Sequence, residues 1–314
     1  MPERLVVLGA GAIGAGLGGL LHASGLPVLL VARGEHGRRL ARDGLDLRLP
    51  GDSLRLRVPN VPRLDPTLLR PGDVVAVCVM GQHTAEAVAG LPVDVPVVSL
   101  QNGSRPLDVL LDRGHPTTAG MVYVPAERRK PGTVVLAGVP TPGAVLLGGW
   151  GRTGEDPIAA WLAQHLVAAG FRAEVEAEVA PWIRAKLLAN LAGVVVALCD
   201  EIPDDVVLAA RAEAEAVWKA AGLAYRSLQE LGDRVGPLRT AAVDGLPRVG
   251  GSTRHALARG ADLETATLHH PIRKLGARLG VPTPVNDALV AIAEAGGRRP
   301  GAMSAADLRS AVGL

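Results

Sequence analysis

Aromatic side chains are scarce, with four Trp, two Tyr and one Phe in 314 residues. That removes the stacking platforms on which single-strand nucleic-acid binders rely. An excess of positive charge is missing too: Lys and Arg number 33 against 31 Asp and Glu. Only four of those cations are lysines (Lys130, Lys186, Lys219 and Lys274), and no stretch is basic enough to track a phosphate backbone. Nucleic acid is therefore not an expected partner. The two cysteines, Cys78 and Cys199, lie far apart, each in an apolar run. They read as small buried hydrophobes rather than a bridge or a nucleophile, which fits a reducing, cytoplasmic compartment.

Charge is also absent from the whole of Leu5 to Ala32, a length that a hydropathy window would take for a signal peptide or membrane helix. Seven glycines interrupt this stretch and Pro27 follows the last of them. It divides into a β-branched run (Leu5 to Leu8), a glycine turn, a small-residue helix (Ala12 to Ser24) and a second run (Val28 to Ala32). That is a β-α-β unit. Leu187 to Cys199 is too short to span a bilayer, so no membrane association is expected.

What the chain does have is an apolar fraction of 48% and, at about 150 residues per domain, the length for two domains. Short apolar runs at Val74 to Val79 and Val95 to Leu100 read as strands buried on two faces. Further strands are expected at Thr118 to Val124, Gly132 to Ala137, Ala144 to Gly148 and Arg172 to Val175, with a helix from Pro157 to Ala169. After Val179 helical periods take over, at Pro181 to Leu198, Val206 to Ala221, Ser227 to Leu231, Ala261 to Leu279 and Pro284 to Ala295. The pattern places an α/β nucleotide-type domain at 1–178 and an all-helical domain at 179–314.

Gly9-Ala10-Gly11-Ala12-Ile13-Gly14 follows a strand and opens a helix, and a second strand ends about twenty residues later, which is the context a dinucleotide-binding GxGxxG needs. The first glycine makes the turn, the second lets the backbone approach a pyrophosphate, and the third lets helix and strand pack closely. After the second strand, where an NAD site carries a carboxylate for the ribose 2′-hydroxyl, the chain has Arg33. A cation there suits the 2′-phosphate of NADP.

In the helical half, Trp182, Lys186 and Asn190 are spaced i, i+4, i+8 and share a helix face. Lys186 precedes an almost wholly apolar stretch. It reads equally as a lysine at the solvated end of a buried helix and as a partly desolvated ammonium able to protonate a developing alkoxide. Ser252, after Gly250-Gly251, has the place of a helix N-cap, and Glu264 that of a first-turn carboxylate. His269 and His270 are adjacent and point in different directions, so no metal site is expected.

In this order and spacing, Gly9 to Gly14, Arg33, Gln101-Asn102-Gly103, Trp182 to Asn190, Ser252, Glu264 and Gly280-Val-Pro-Thr-Pro-Val-Asn286 resemble the ketopantoate reductase (2-dehydropantoate 2-reductase) family almost end to end. The resemblance implies a Rossmann domain followed by an all-helical domain. It implies Lys186 as the general acid that protonates the carbonyl oxygen as hydride arrives from NADPH. Glu264 would hold the substrate hydroxyl and orient the lysine, Ser252 and Asn190 would bind substrate polar groups, and Asn102 would sit at the nicotinamide end. Two positions depart from the family pattern. Met80 stands where many members carry a lysine near cofactor and substrate, and Val194 where a second substrate-binding asparagine can occur, which implies a less polar pocket. His83 reads as an ordinary helix-start histidine or, alternatively, as a partial replacement for that lysine.

The expected cofactor is thus NADP(H), held by Gly9, Gly11, Ala12, Ile13, Gly14, Arg33, Met80 and Asn102. The expected reaction is reduction of 2-dehydropantoate or, alternatively, of a less polar 2-oxo acid or ketone. A non-catalytic NADP(H) sensor is a third reading, and the apolar helical domain makes a homodimer an expectation.

Overall fold

Successive residues of the first apolar run bury themselves in opposite cores. In the computed structural model, which describes residues 2–152, 154–246, 254, 265–295 and 300–314, Leu5 and Val7 point into one cluster and Val6 and Leu8 into another. Val28 and Leu30 divide from Leu29 and Val31 in the same way, as do Val74 and Ala76 from Val75 and Val77. A strand covered on both faces has no polar side, which is why these segments read as unbroken apolar runs.

The chain runs β1 (Arg4–Leu8), α1 (Ala12–Ala23), β2 (Val28–Val31), α2 (Gly34–Asp43), β3 (Leu45–Leu49), β4 (Asp52–Leu56), β5 (Asn60–Val61), β6 (Asp73–Val77), α3 (Thr84–Ala87) and β7 (Val97–Ser99). It continues through α4 (Arg105–Asp112), β8 (Thr117–Tyr123), β9 (Ala126–Lys130), β10 (Thr133–Leu136), β11 (Gly138–Val139), β12 (Ala144–Gly149), α5 (Pro157–Ala168) and β13 (Arg172–Val175). The main sheet has the order β13-β12-β8-β7-β6-β1-β2-β5. From β8 to β5 all neighbours are parallel, and β12 turns antiparallel against β8. Counting only its parallel strands, β5-β2-β1-β6-β7-β8 is the 3-2-1-4-5-6 order of a Rossmann sheet, which reverses direction between β1 and β6.

A second sheet, β4-β3-β10-β9, was not among the expectations, nor was the β3–β4 hairpin that turns at Gly51 (φ +77°). The division of the chain also differs from the expected 1–178 and 179–314. The first compact unit comprises 1–102, 106–180 and 232–248, and the second 103–105, 181–231 and 249–314. Residues 232–248 join the first unit because β14 (Arg239–Thr240) pairs with β11, and Val243 is buried with Val135 and Ala137. Arg129 and Arg48 reach Asp244 at 3.4 and 3.7 Å, while Arg234 pairs with Glu174 and Glu176. A two-residue strand is too short to show an alternation in sequence.

The second unit is helical. The helix expected over Pro181 to Leu198 runs as α6 (Ala180–Asn190) and α7 (Ala192–Leu198), with Leu191 between them still in helical conformation, followed by α8 (Asp204–Ala220) and α9 (Leu228–Val235), whose last turn belongs to the first unit. Further helices run Thr265–Leu268, His270–Leu279, Pro284–Glu294 and Ala305–Val312. Leu187, Leu188 and Leu191 pack on Ala214, Val217, Trp218, Leu268 and Ile272, and Val194 and Leu198 on Val206, Ala210, Val285 and Leu289. Among the described residues one helical stretch, Ala180–Leu198, is long and apolar enough to cross a bilayer, but 56% of its apolar window is buried inside the protein. It is a core helix.

Candidate functional site

Strand register sets the level at which the sheet delivers its functional residues. Leu8 pairs with Val31 and with Val77, and Val77 with Ser99. The next residues, Gly9, Ala32, Cys78 and Leu100, therefore leave the sheet together at its carboxyl edge. The glycine turn, Arg33, Met80 and Asn102 all follow within a few residues. Ligands of open α/β sheets bind outside this edge, where the strand order reverses.

Gly9 has φ +101°, and a Cβ there would meet the Val79 amide nitrogen at 2.8 Å. At Gly14 a Cβ would lie 2.4 Å from the Gly9 carbonyl oxygen. Those two glycines are required by the approach of β6 and by the turn itself. Gly11 differs, since a Cβ there would meet nothing within 4 Å. It is the N-cap of α1, and no side chain caps that end. The first amides of α1, from Ala12, Ile13 and Gly14, thus face open space at the positive end of the helix dipole, an arrangement that can hold an anionic group.

Gln101 ties the neighbouring strand ends together. Its Nε2 donates to the Val79 carbonyl and to Thr84 Oγ1, both at 2.8 Å, and its Oε1 accepts from Ser99 Oγ at 3.1 Å. Thr84 Oγ1 donates onward to the Gly81 carbonyl at 2.8 Å. This buried chain fixes the 79–84 loop, whose Met80 is half-buried with Sδ 4.0 Å from Gln82 Nε2. Sequence reasoning gave Gln101 no role. Cys78, beside this loop, has its thiol pushed up to about 12 by burial, and both cysteines are free thiols.

Arg33 is exposed at the N-cap position of α2 and makes no ion pair among the described residues; Glu35, nearby, is engaged by Arg38 and Arg39. His36, one turn along, is 6% exposed. Its Nδ1 accepts from the Gly132 N–H at 3.0 Å, so the neutral ring carries its proton on Nε2. That atom is buried without a partner among the described residues. Burial first, then the Arg128 charge, pushes the pKa of His36 down, and the ring faces the backbone of Ala10.

In the helical unit, Trp182, Lys186 and Asn190 are all half-buried on α6, as their spacing requires. The chain that follows α8 holds this helix from outside. Arg184 Nη1 donates to the Ala224 carbonyl at 2.6 Å, and the Arg226 guanidinium lies 5.4 Å over the Trp182 ring. Val194, one turn beyond Asn190, is 1% exposed in a hydrophobic cluster. Its apolar character belongs to that core. Ser252 and Glu264 lie outside the described residues.

Below α6, the Glu213 carboxylate accepts from the Val285 and Asn286 amides at 2.8 and 2.9 Å and from Asn286 Nδ2 at 2.6 Å. Asn286 Oδ1 faces His269 Nδ1 at 2.8 Å, and His269 is fully buried with its pKa lowered to about 4, chiefly by desolvation. His270 turns away to Glu294 at 2.7 Å. Among the described residues no group of three His, Cys, Asp or Glu side chains could hold a metal ion.

Two family models match this chain: ketopantoate reductase PanE/ApbA over residues 5–151 and ketopantoate reductase PanE/ApbA C terminal over residues 185–296. The chain belongs to the ketopantoate reductase family. It is therefore an oxidoreductase of that family, with the family's Rossmann and helical parts in order. A 2-dehydropantoate 2-reductase of Halobacterium salinarum is 29% identical over 282 residues, which covers 85% of this chain and 89% of that protein. The crystal structure of a PanE/ApbA family ketopantoate reductase from Ralstonia eutropha superposes with a TM-score of 0.77 at 28% identity, covering 93% of this chain and 97% of that one. D-mandelate dehydrogenase in a ternary complex with NADH and anilino(oxo)acetate shares the fold, with a TM-score of 0.75 at 20% identity, and covers 93% of this chain and 97% of its own.

Proposed function

We propose that this chain is an NADPH-dependent reductase that converts 2-dehydropantoate (ketopantoate) to pantoate. The observation that carries the reading is the carboxyl edge of the sheet. There a helix start with open space at Gly11 stands near an exposed Arg33, without an ion pair among the described residues, in the place where an NAD site has a carboxylate. These features fit a dinucleotide, which when bound supplies the hydride. The α1 amides would hold its pyrophosphate, Arg33 its 2′-phosphate and Asn102 its nicotinamide end. Lys186 would donate a proton from Nζ to the carbonyl oxygen, stabilising the charge that develops there. Glu264 would hold the substrate hydroxyl and orient the lysine, while Asn190 and Ser252 would bind the substrate's polar groups. The relatives named 2-dehydropantoate 2-reductase support this substrate.

Met80 favours a second reading. Its thioether stands at the end of the β6 loop, half-buried, and gives a substrate carboxylate or hydroxyl no cation. A pocket of that kind suits a less polar 2-oxo acid. Following NADPH consumption with ketopantoate, pyruvate, 2-oxoisovalerate, 2-oxoglutarate and an aromatic 2-oxo acid decides between them. Turnover confined to ketopantoate establishes the first reading. Turnover confined to the apolar acids establishes the second, and turnover of none of them with tight NADPH binding would overturn both.

A further inference from the structure

The small sheet brings to the glycine turn a cation that lies outside the GxGxxG–Arg33 pattern. A Cβ at Gly16 would touch Leu136 of β10 at 2.7 Å, and one at Gly19 would touch Leu45 of β3 at 2.7 Å. With the sheet order β4-β3-β10-β9, α1 therefore crosses from the β10 side at its start toward β3 at its end. Its N-terminus is directed to β9. On β10, Val134 and Leu136 lie in the cluster that contains α1. Their cross-strand partners are Arg128 and Ala126, and directly opposed residues share a sheet face. Arg128 thus projects from the α1 side of the edge strand.

Two further observations converge there. Arg128 is exposed and makes no ion pair among the described residues, whereas Arg129, Arg48 and Arg39 all have carboxylate partners. The nearby His36 ring joins the two turns involved, accepting from Gly132 on the β9–β10 side while the ring faces the backbone of Ala10 in the glycine turn.

We propose that Arg128 is a further phosphate-binding residue of the dinucleotide site, reaching a cofactor phosphate from the edge of the small sheet beside the α1 N-terminus. This rests on the dinucleotide reading above. A charge-assisted contact of this kind is worth about tenfold to a hundredfold in affinity.

The test is fluorescence titration of the full-length chain with NADPH and with NADH, comparing wild type, Arg128→Ala, Arg128→Lys and Arg33→Ala. Arg128→Ala should weaken binding at least about tenfold, Arg128→Lys should recover most of that loss, and the melting temperature should stay unchanged because the side chain is exposed and has no ion pair among the described residues. A loss for both dinucleotides assigns Arg128 to the pyrophosphate, and a loss for NADPH alone assigns it to the 2′-phosphate. If Arg33→Ala weakens NADPH while Arg128→Ala binds like wild type, the Arg128 assignment is wrong and the dinucleotide reading stands. A wild-type chain that binds neither dinucleotide overturns both.

Discussion

At the carboxyl edge of the sheet, four strands in shared register release Gly9, Ala32, Cys78 and Leu100 at one level, whereas on α6 the groups of interest are three side chains one helical turn apart. The first region works through backbone. Its amides and turn exist only if β1, β6 and α1 approach closely, so its chemistry and its folding share the same contacts. The second works through side chains on a helix already held by Leu187, Leu188 and Leu191. Function and stability should therefore separate on α6 and be entangled at the glycine turn.

The sharpest separation is expected for Lys186→Ala, which should lower kcat about a thousandfold, the scale of a lost general acid, while leaving NADPH affinity and melting temperature close to wild type. Steady-state rates beside a binding titration measure this, and a variant that keeps most of its turnover removes Lys186 from the mechanism. Entanglement is tested at Gly14. An alanine Cβ there would lie 2.4 Å from the Gly9 carbonyl oxygen, so Gly14→Ala should cost roughly 3 kcal/mol in a urea titration.

The helical unit has its own pH dependence. His269 stays neutral in the fold until about pH 4, against an ordinary 6.5, so below 6.5 the unfolded chain takes up the proton first. Stability is full above pH 6.5 and falls as pH drops from 6.5 toward 4, by up to about 3 kcal/mol. Urea midpoints across that window, with His269→Gln flattening the curve, check the sign. Arg33→Ala should weaken NADPH by about tenfold to a hundredfold and NADH little. The smallest effect on stability is expected at Gly11→Ala, whose Cβ has open space. Its melting temperature should not move although dinucleotide binding weakens, the reverse of Gly14→Ala.

The parallel strands, the glycine turn and the change to helices near residue 179 were legible because each carries a local signal: continuous apolar runs, glycine spacing, a 3.6-residue period. The small sheet was not. β9 is Ala-Glu-Arg-Arg-Lys, which has no apolar alternation and pairs only because β10 presents an edge. The β3–β4 hairpin did carry a signal, leucines at 45, 47 and 49, a Pro-Gly turn and leucines at 54 and 56, which went unused. Within the site, Gln101 belongs to the Gln-Asn-Gly motif but its own role was not legible, because its partners, Val79 and Thr84, are 22 and 17 residues away. Val194 is 1% exposed in the helical core, a packing role that the spacing from Asn190 does not show.

The return of residues 232–248 to the first unit bears on how this chain is made. β11 has no partner, and Val135 and Ala137 have no cover, until β14 and Val243 arrive about a hundred residues later. On the ribosome, the sheet-bearing unit is not complete when β13 emerges at residue 175; all of α6 to α9 is synthesised before β14 and Val243 arrive. A fragment ending at residue 178 would accordingly be an unfinished domain with an apolar patch exposed, prone to self-association.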